Sequence, residues 1–392
     1  MFLKTFRLKN FKAIRDSGVV TFTPLTALIG YNGSGKSSLI EGLQTYQHIV
    51  TQGLDEAMHR WRGFEYIHNP PGLNNDGFMS FSLSGETYLE SSYSTDMVIT
   101  SAKGALAITR EEIAFGNVIY LQRDKHGAIY LPQFPNIYSH LRTGVSALSP
   151  VVVMSSFGVA KTAFDVGLNP REVEAVSNEI SVWQFADFNA YQMGNPLPQA
   201  RTQAEIVLAP DGSNIAQYLL DIRDRDEAVF MGILEALRQV LPYADDLQPT
   251  LTTELERSVY LQLTEGKAVI PGWLLSTGTL RIVALLALFR HPNPQPLIVI
   301  DEIENGLDPR TLNFLVEEMR NMVESGASQI ILTTHSPYLL DLLSLSQIVL
   351  VERTQSGETV FTRPADDESL REWSTRFAPG MLYTSGRLST LA

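Results

Sequence analysis

Cysteine is absent from the 392 residues. That excludes disulfides, thiolate zinc sites and iron–sulfur clusters, and it fits a reducing compartment. Long apolar runs are missing as well. The longest, IVALLALF at 282–289, lies between Arg281 and Arg290. It is far too short to span a bilayer and reads as a buried helix. Excess positive charge is also lacking. A net charge of −13 excludes a general polycation for DNA. The one basic cluster, Lys4, Arg7, Lys9, Lys12 and Arg15, reads as the polar face and end of a first strand. Nucleic-acid contact, if any, would need a local patch, such as one near Lys4, Arg7 and Lys12, or a partner. His48, His59, His68, His126, His140 and His291 show no metal spacing, and no Ser–His–Asp arrangement stands out. The opening MFLKTFRLKN alternates charged and apolar residues, so a strand is expected there rather than a signal peptide. A cytoplasmic protein without membrane contact is expected. The remaining composition, 44% hydrophobic and 19% charged, is ordinary for a globular chain of two lobes or two to three small domains.

What is present begins with GYNGSGKSS at 30–38, between the apolar run LTALI and LIEGLQTY. The stretch matches G-x-x-x-x-G-K-[ST], the phosphate-binding loop. Gly30, Gly33 and Gly35 let the backbone take conformations that a side chain would obstruct. Successive N–H groups, including those near Asn32, Ser34 and Ser38, then turn toward an anion, and the helix starting near Lys36 adds its positive end. Lys36 can reach the β- and γ-phosphates, and the Ser37 hydroxyl can ligate Mg²⁺.

Further on, LIVIDE at 297–302 reads as a buried parallel strand ending in two acids. In such sheets, ligand chemistry sits at the carboxyl ends of strands. Asp301 is expected to hold Mg²⁺ through water, and Glu302 to act as general base toward the attacking water. LLSTGTLR at 274–281 supplies another anion site from Ser276, Gly278 and the start of a helix over 279–290. One nucleotide already has its phosphate loop, so this second site makes sense if it faces the nucleotide of another subunit.

These motifs together resemble the ABC-type ATPases, whose signature is usually L-S-G-G-Q. Here Thr277 replaces the first glycine of that pair and Thr279 the glutamine. The form L-S-x-G-T-L-R, with NFKAI at 10–14, is similar to the RecF, SMC and OLD-like branch and its stand-alone AAA-type ATPases. Transport ATPases usually read D-E-P after the strand, whereas this chain has Asp301-Glu302-Ile303. ENGLDPR at 304–310 resembles the D-loop, with Asp308 before a helix-starting Pro309. His335 in ILTTHSP resembles the switch histidine that senses the γ-phosphate. Gln122 and Gln133 each could be the glutamine that links the lobes near Mg²⁺, and both stay open. The resemblance covers most of 1–45 and 270–345 and the middle only loosely.

The resemblance implies ATP and Mg²⁺ as cofactors and a homodimer closed around two ATP molecules. It implies a conformational switch for a DNA-directed process, DNA repair or prokaryotic anti-phage defence, with a protein effector encoded nearby. An ATPase subunit of a transporter and a scaffold with little hydrolysis are the alternatives. Lys36 and Ser276 are 240 residues apart with no SMC-type coiled coil between them, and the 57 residues after His335 are too few for an OLD-type nuclease domain. The expected fold is an α/β ABC-type P-loop NTPase head with a mixed sheet, an antiparallel β layer and an inserted helical lobe. Its expected division is 1–140 for the first part of the ATPase lobe and 141–250 for the inserted lobe. Residues 251–363 would complete the ATPase lobe, and 364–392 form a tail without assigned structure.

Overall fold

A computed structural model describes residues 2–69, 77–87, 91–102, 105–123, 128–131, 151–154, 171–200, 205–252 and 257–389. Gln133 and the expected boundary at 140–141 lie outside them. The chain forms two compact units. The first comprises Met1–Trp183, Ser346–Glu368 and Leu388–Ala392, and the second Gln184–Leu345 with Ser369–Arg387. The segment 141–250 therefore contributes to both. It holds the helices Arg171–Ser181, Ile215–Arg225 and Glu227–Val240, and also strands such as Val151–Met154 and Asp246–Leu251.

In the first unit the opening strand, Phe2–Phe11, pairs antiparallel with Phe78–Glu86, which begins a meander through Ser92–Ala102, Ala105–Phe115 and Val118–Arg123. Alternation places Met79, Phe81 and Leu83 in the core, as a half-buried antiparallel layer requires. A bulge between Leu3 and Thr5 shifts the phase of the first strand, so Leu3 and Phe6 are both buried. A separate parallel pairing joins Leu25–Ile29 to Ile348–Arg353, and Thr359–Thr362 continues antiparallel. All five residues of Leu25–Ile29 are buried.

The helix after the phosphate loop, Lys36–Gln52, covers the antiparallel layer. Tyr46 packs on Phe81 with ring centroids 5.9 Å apart, and its hydroxyl shares a 2.7 Å hydrogen bond with Thr95. At the next residue, the buried Gln47 Nε2 lies within hydrogen-bonding distance of the carbonyls of Ile180 (3.0 Å), Ser181 (3.1 Å) and Trp183 (2.8 Å). Gln47 thus closes the end of helix Arg171–Ser181, where main-chain acceptors have no intrahelical partner. Gln47→Leu keeps the volume but removes the donor. We expect it to destabilise the chain by about 1–3 kcal/mol, read as a lower urea midpoint, because buried carbonyls are left unsatisfied.

The basic cluster is neutralised within this unit. Lys4 pairs with Glu86, Arg7 and Lys9 with Asp16, Lys12 with Glu41, and Arg15 with Glu358. Lys12 also sits 3.7 Å above the Trp61 ring. At Lys4, Arg7 and Lys12 the cations already face carboxylates, so a phosphate there would have to displace them.

The second unit contains the parallel strands Gln184–Ala186, Leu297–Ile300 and Gln329–Thr334. The helix Thr277–Phe289 is buried at every position from Thr279 to Phe289, which explains why IVALLALF lacks a polar stripe. A four-stranded antiparallel sheet, with Ser258–Glu265 at its centre, leads into that helix. The tail holds two short helices, Glu368–Ser374 and Pro379–Thr384.

Candidate active site

The phosphate loop leaves its strand at Gly30, where no side chain fits: a Cβ would collide with the Val351 carbonyl of the neighbouring strand. Gly33 and Gly35 take positive φ, +74° and +118°. Gly35 is also close to Thr359, whose side chain a Cβ would approach to 2.8 Å. The Lys36–Gln52 helix starts from Gly35 with no side-chain cap, so its first N–H groups are offered to a ligand. Lys36 is buried, and its ammonium donates to the carbonyls of Gly30 (2.7 Å) and Tyr31 (3.2 Å). Asn32, Gly33 and Ser37 are exposed and Ser38 partly so. The Ser34 hydroxyl is buried without a hydrogen-bond partner. An uncapped helix start, an orphaned hydroxyl and an ammonium in one loop fit a polyphosphate.

The acids occupy a tight turn in the second unit. The Asp301 amide donates to the Ala186 carbonyl at 3.0 Å, and Oδ1 of Asp301 accepts from the Thr333 hydroxyl. Glu302 has φ of +47°, the left-handed region, which costs a non-glycine residue about 1–3 kcal/mol. Its surroundings impose that conformation. Its amide donates to Thr333 Oγ1 at 2.7 Å, and its carbonyl accepts from Arg281 at 2.8 Å. Oε2 of its carboxylate accepts from Asn305 Nδ2 at 2.5 Å. Strain held this firmly is characteristic of sites where geometry matters more than local stability.

Ser276 caps the Thr277–Phe289 helix. Its Oγ accepts from the Thr279 amide at 3.1 Å and shares a 2.8 Å bond with the Thr279 hydroxyl. Thr279, where the resemblance expects glutamine, is thus a capping partner. Gly278 packs so tightly on the Gly306 carbonyl that a Cβ would overlap it. Asp308 caps the next helix, accepting from the amides of Arg310 (2.9 Å) and Thr311 (3.2 Å) and from the Thr311 hydroxyl (2.5 Å). The Thr311 hydroxyl is the main reason its pKa lies below the usual carboxylate value. His335 follows its strand and is partly exposed, and its amide donates to Glu304 Oε1. Gln122 lies within a strand of the antiparallel layer, 3.5 Å from Glu112.

Sequence reading missed four supporting residues. Thr333 orients both acids, Glu304 holds the turn before His335, Asn305 fixes the Glu302 carboxylate, and Arg281 grips the Glu302 carbonyl. Asp187, at the end of the strand beside the Asp301 strand, was also unsignalled. Burial first, then the Asp301 charge, raises its pKa.

The chain is an ATPase with a P-loop NTPase fold, and it is similar to proteins of the SMC and OLD kind. A family model described as "AAA domain, putative AbiEii toxin, Type IV TA system" matches residues 167–341, and an "AAA ATPase domain" model matches 1–46. The chain is 19% identical over 380 residues to an ATP/GTP phosphatase of Helicobacter pylori, covering 93% of each protein. It is 21% identical over 403 residues to an OLD nuclease of Thermus scotoductus, covering 99% of this chain and 70% of that one. Among solved structures, an SMC head bound to the C-winged helix domain of ScpA matches with a TM-score of 0.58 at 13% identity, over 92% of this chain and 97% of that one. An SMC head with an extended coiled coil, bound to the C-terminal domain of ScpA derived from Pyrococcus furiosus, matches with a TM-score of 0.54 at 14% identity, over 96% and 100%. No helix among the described residues is long and apolar enough to cross a membrane.

Proposed function

We propose that the chain is a Mg²⁺-dependent ATPase that dimerises around two ATP molecules and works as a switch for an effector protein in a DNA-directed or defence process. The observation that carries this reading is the serine-capped start of the Thr277–Phe289 helix, with Ser276 and Thr277 exposed. In this reading the N–H groups that the cap leaves free would form a second phosphate-recognising element, in addition to the phosphate loop. Such duplication is useful when each nucleotide is gripped by the phosphate loop of one subunit and the signature of the other.

In this reading the loop from Gly30 to Ser38 cradles the phosphates through main-chain N–H groups, and Lys36 neutralises their charge. Ser37 and Asp301 would hold Mg²⁺, which supplies charge neutralisation across the β- and γ-phosphates. Glu302 accepts the proton of the attacking water, and His335 reads the γ-phosphate. Asp308 joins Ser276 and Gly278 at the subunit boundary, its carboxylate organising the turn that follows the base. A link to DNA or to defence draws support from the OLD nuclease relative and the toxin–antitoxin wording of the matching family. An effector partner draws support from SMC heads captured with ScpA.

The test is sedimentation of the hydrolysis-slowed Glu302→Gln protein with and without ATP and Mg²⁺. A shift from monomer to dimer on adding ATP is the expected result. Mixing Lys36→Ala with Ser276→Arg chains should restore part of the activity, because one composite site keeps both motifs. A monomer at every ATP concentration with full ATPase activity would overturn the shared-site reading.

A further inference from the structure

Arg281 lies three residues past Gly278 in the signature helix and is only 6% exposed. Nη1 donates to the Phe188 carbonyl at 3.1 Å and Nη2 to the Glu302 carbonyl at 2.8 Å. Its Nε is buried without a hydrogen-bond partner. Desolvation depresses its pKa, and attraction from Asp187, Glu302, Glu304 and Asp301 opposes that. Its neighbours are polar, two carbonyls that it bonds and four carboxylates that attract it, and an apolar side chain of the same size would leave those carbonyls without this donor. Packing therefore does not account for an arginine here.

What the guanidinium adds is a tie between the signature helix and the acid turn. The signature helix meets the acid turn at two points. Gly278 abuts the Gly306 carbonyl, and Arg281 holds the Glu302 carbonyl. That carbonyl belongs to the one acid with a left-handed backbone, and it also accepts from the Asn305 amide at 3.1 Å. Asn305 in turn fixes the Glu302 carboxylate. A displacement of the helix start thus reaches the carboxylate through an unbroken chain of hydrogen bonds inside one compact unit.

We propose that Arg281 is a positioning residue for hydrolysis: its bond to the Glu302 carbonyl makes the turn of the base follow the signature helix. A phosphate engaging Ser276 and Gly278 then also sets the Glu302 carboxylate. This rests on the reading of Glu302 as the base, and no atom of Arg281 has to touch the nucleotide.

The experiment compares Arg281→Met and Arg281→Lys with the parent protein and in the Glu302→Gln background, measuring kcat and the ATP dissociation constant. For Arg281→Met, kcat should fall about tenfold or more while the dissociation constant stays within about twofold. Lysine can still donate to one carbonyl and should recover part of kcat. In the Glu302→Gln background, where no base remains to position, Arg281→Met should change the residual rate by less than about twofold. If the methionine variant does not fold, Arg281→Gln takes its place with the same expectations. A slow Glu302→Gln protein beside an Arg281→Met protein at the parental rate overturns this proposal alone. So does an equal slowing by Arg281→Met in both backgrounds, or a lysine variant no faster than methionine. A parental rate for Glu302→Gln itself removes the base assignment, and this proposal with it.

Discussion

The Glu302→Gln protein should bind ATP as the parent does and hydrolyse it about 10²–10⁴-fold more slowly, the usual contribution of a general base. The substitution is nearly isosteric, and Asn305 Nδ2 can still donate to the amide oxygen that replaces Oε2. The left-handed backbone at φ of +47° costs glutamine as much as glutamate, so thermal stability should hardly change. Only the capacity to accept a proton is lost. Calorimetric binding and phosphate release measure the two halves of the prediction separately. Hydrolysis at the parental rate would sink the assignment of the base.

Lys36→Ala should act on the other half and weaken ATP binding by at least about 100-fold. Charge-assisted hydrogen bonds contribute about 1.5–3 kcal/mol each, and two of them to the phosphates correspond to roughly that factor or more. The ammonium also bonds the carbonyls of Gly30 and Tyr31, so its removal loosens the loop as well as discharging it. Both effects lower affinity, and binding measured by calorimetry should show little heat at concentrations that saturate the parent. An alanine variant binding within about threefold of the parent would mean that main-chain N–H groups alone hold the phosphates.

Much of this geometry could be read from residue order. Leu25–Ile29, Pro309–Glu324 and Gln329–Thr334 fall where apolar runs, a first-turn proline and a capping Asp308 predict them. Arg281 and Arg290 could not be read so. As flanks of an apolar run they suggest solvent-facing ends. Instead Arg281 is buried against two carbonyls, and Arg290 makes a two-pronged pair with Glu318 at 2.7 and 2.8 Å. Their partners are set by chain segments distant in sequence. The acids that face the basic cluster could not be read for the same reason, since Glu86, Glu41 and Glu358 lie outside the strand that carries it. The tail helices carry too little periodic pattern to signal themselves. One of them is placed by the Gly380 amide donating to Asp341 at 2.7 Å, a contact no local rule contains.

The close fit of Gly30 beneath the Val351 carbonyl bears on how the molecule is born. The strand that completes the nucleotide cradle, Ile348–Arg353, pairs with Leu25–Ile29 in the register Ile29 to Leu350, so it leaves the ribosome more than three hundred residues later. At about 5–20 residues per second, the first phosphate-loop strand waits tens of seconds for its neighbour. Pairing of such high contact order forms late. A nascent chain stalled before residue 348 should therefore retain ATP poorly even though its whole phosphate-loop sequence is already made, and binding competence should appear abruptly once the final strands emerge.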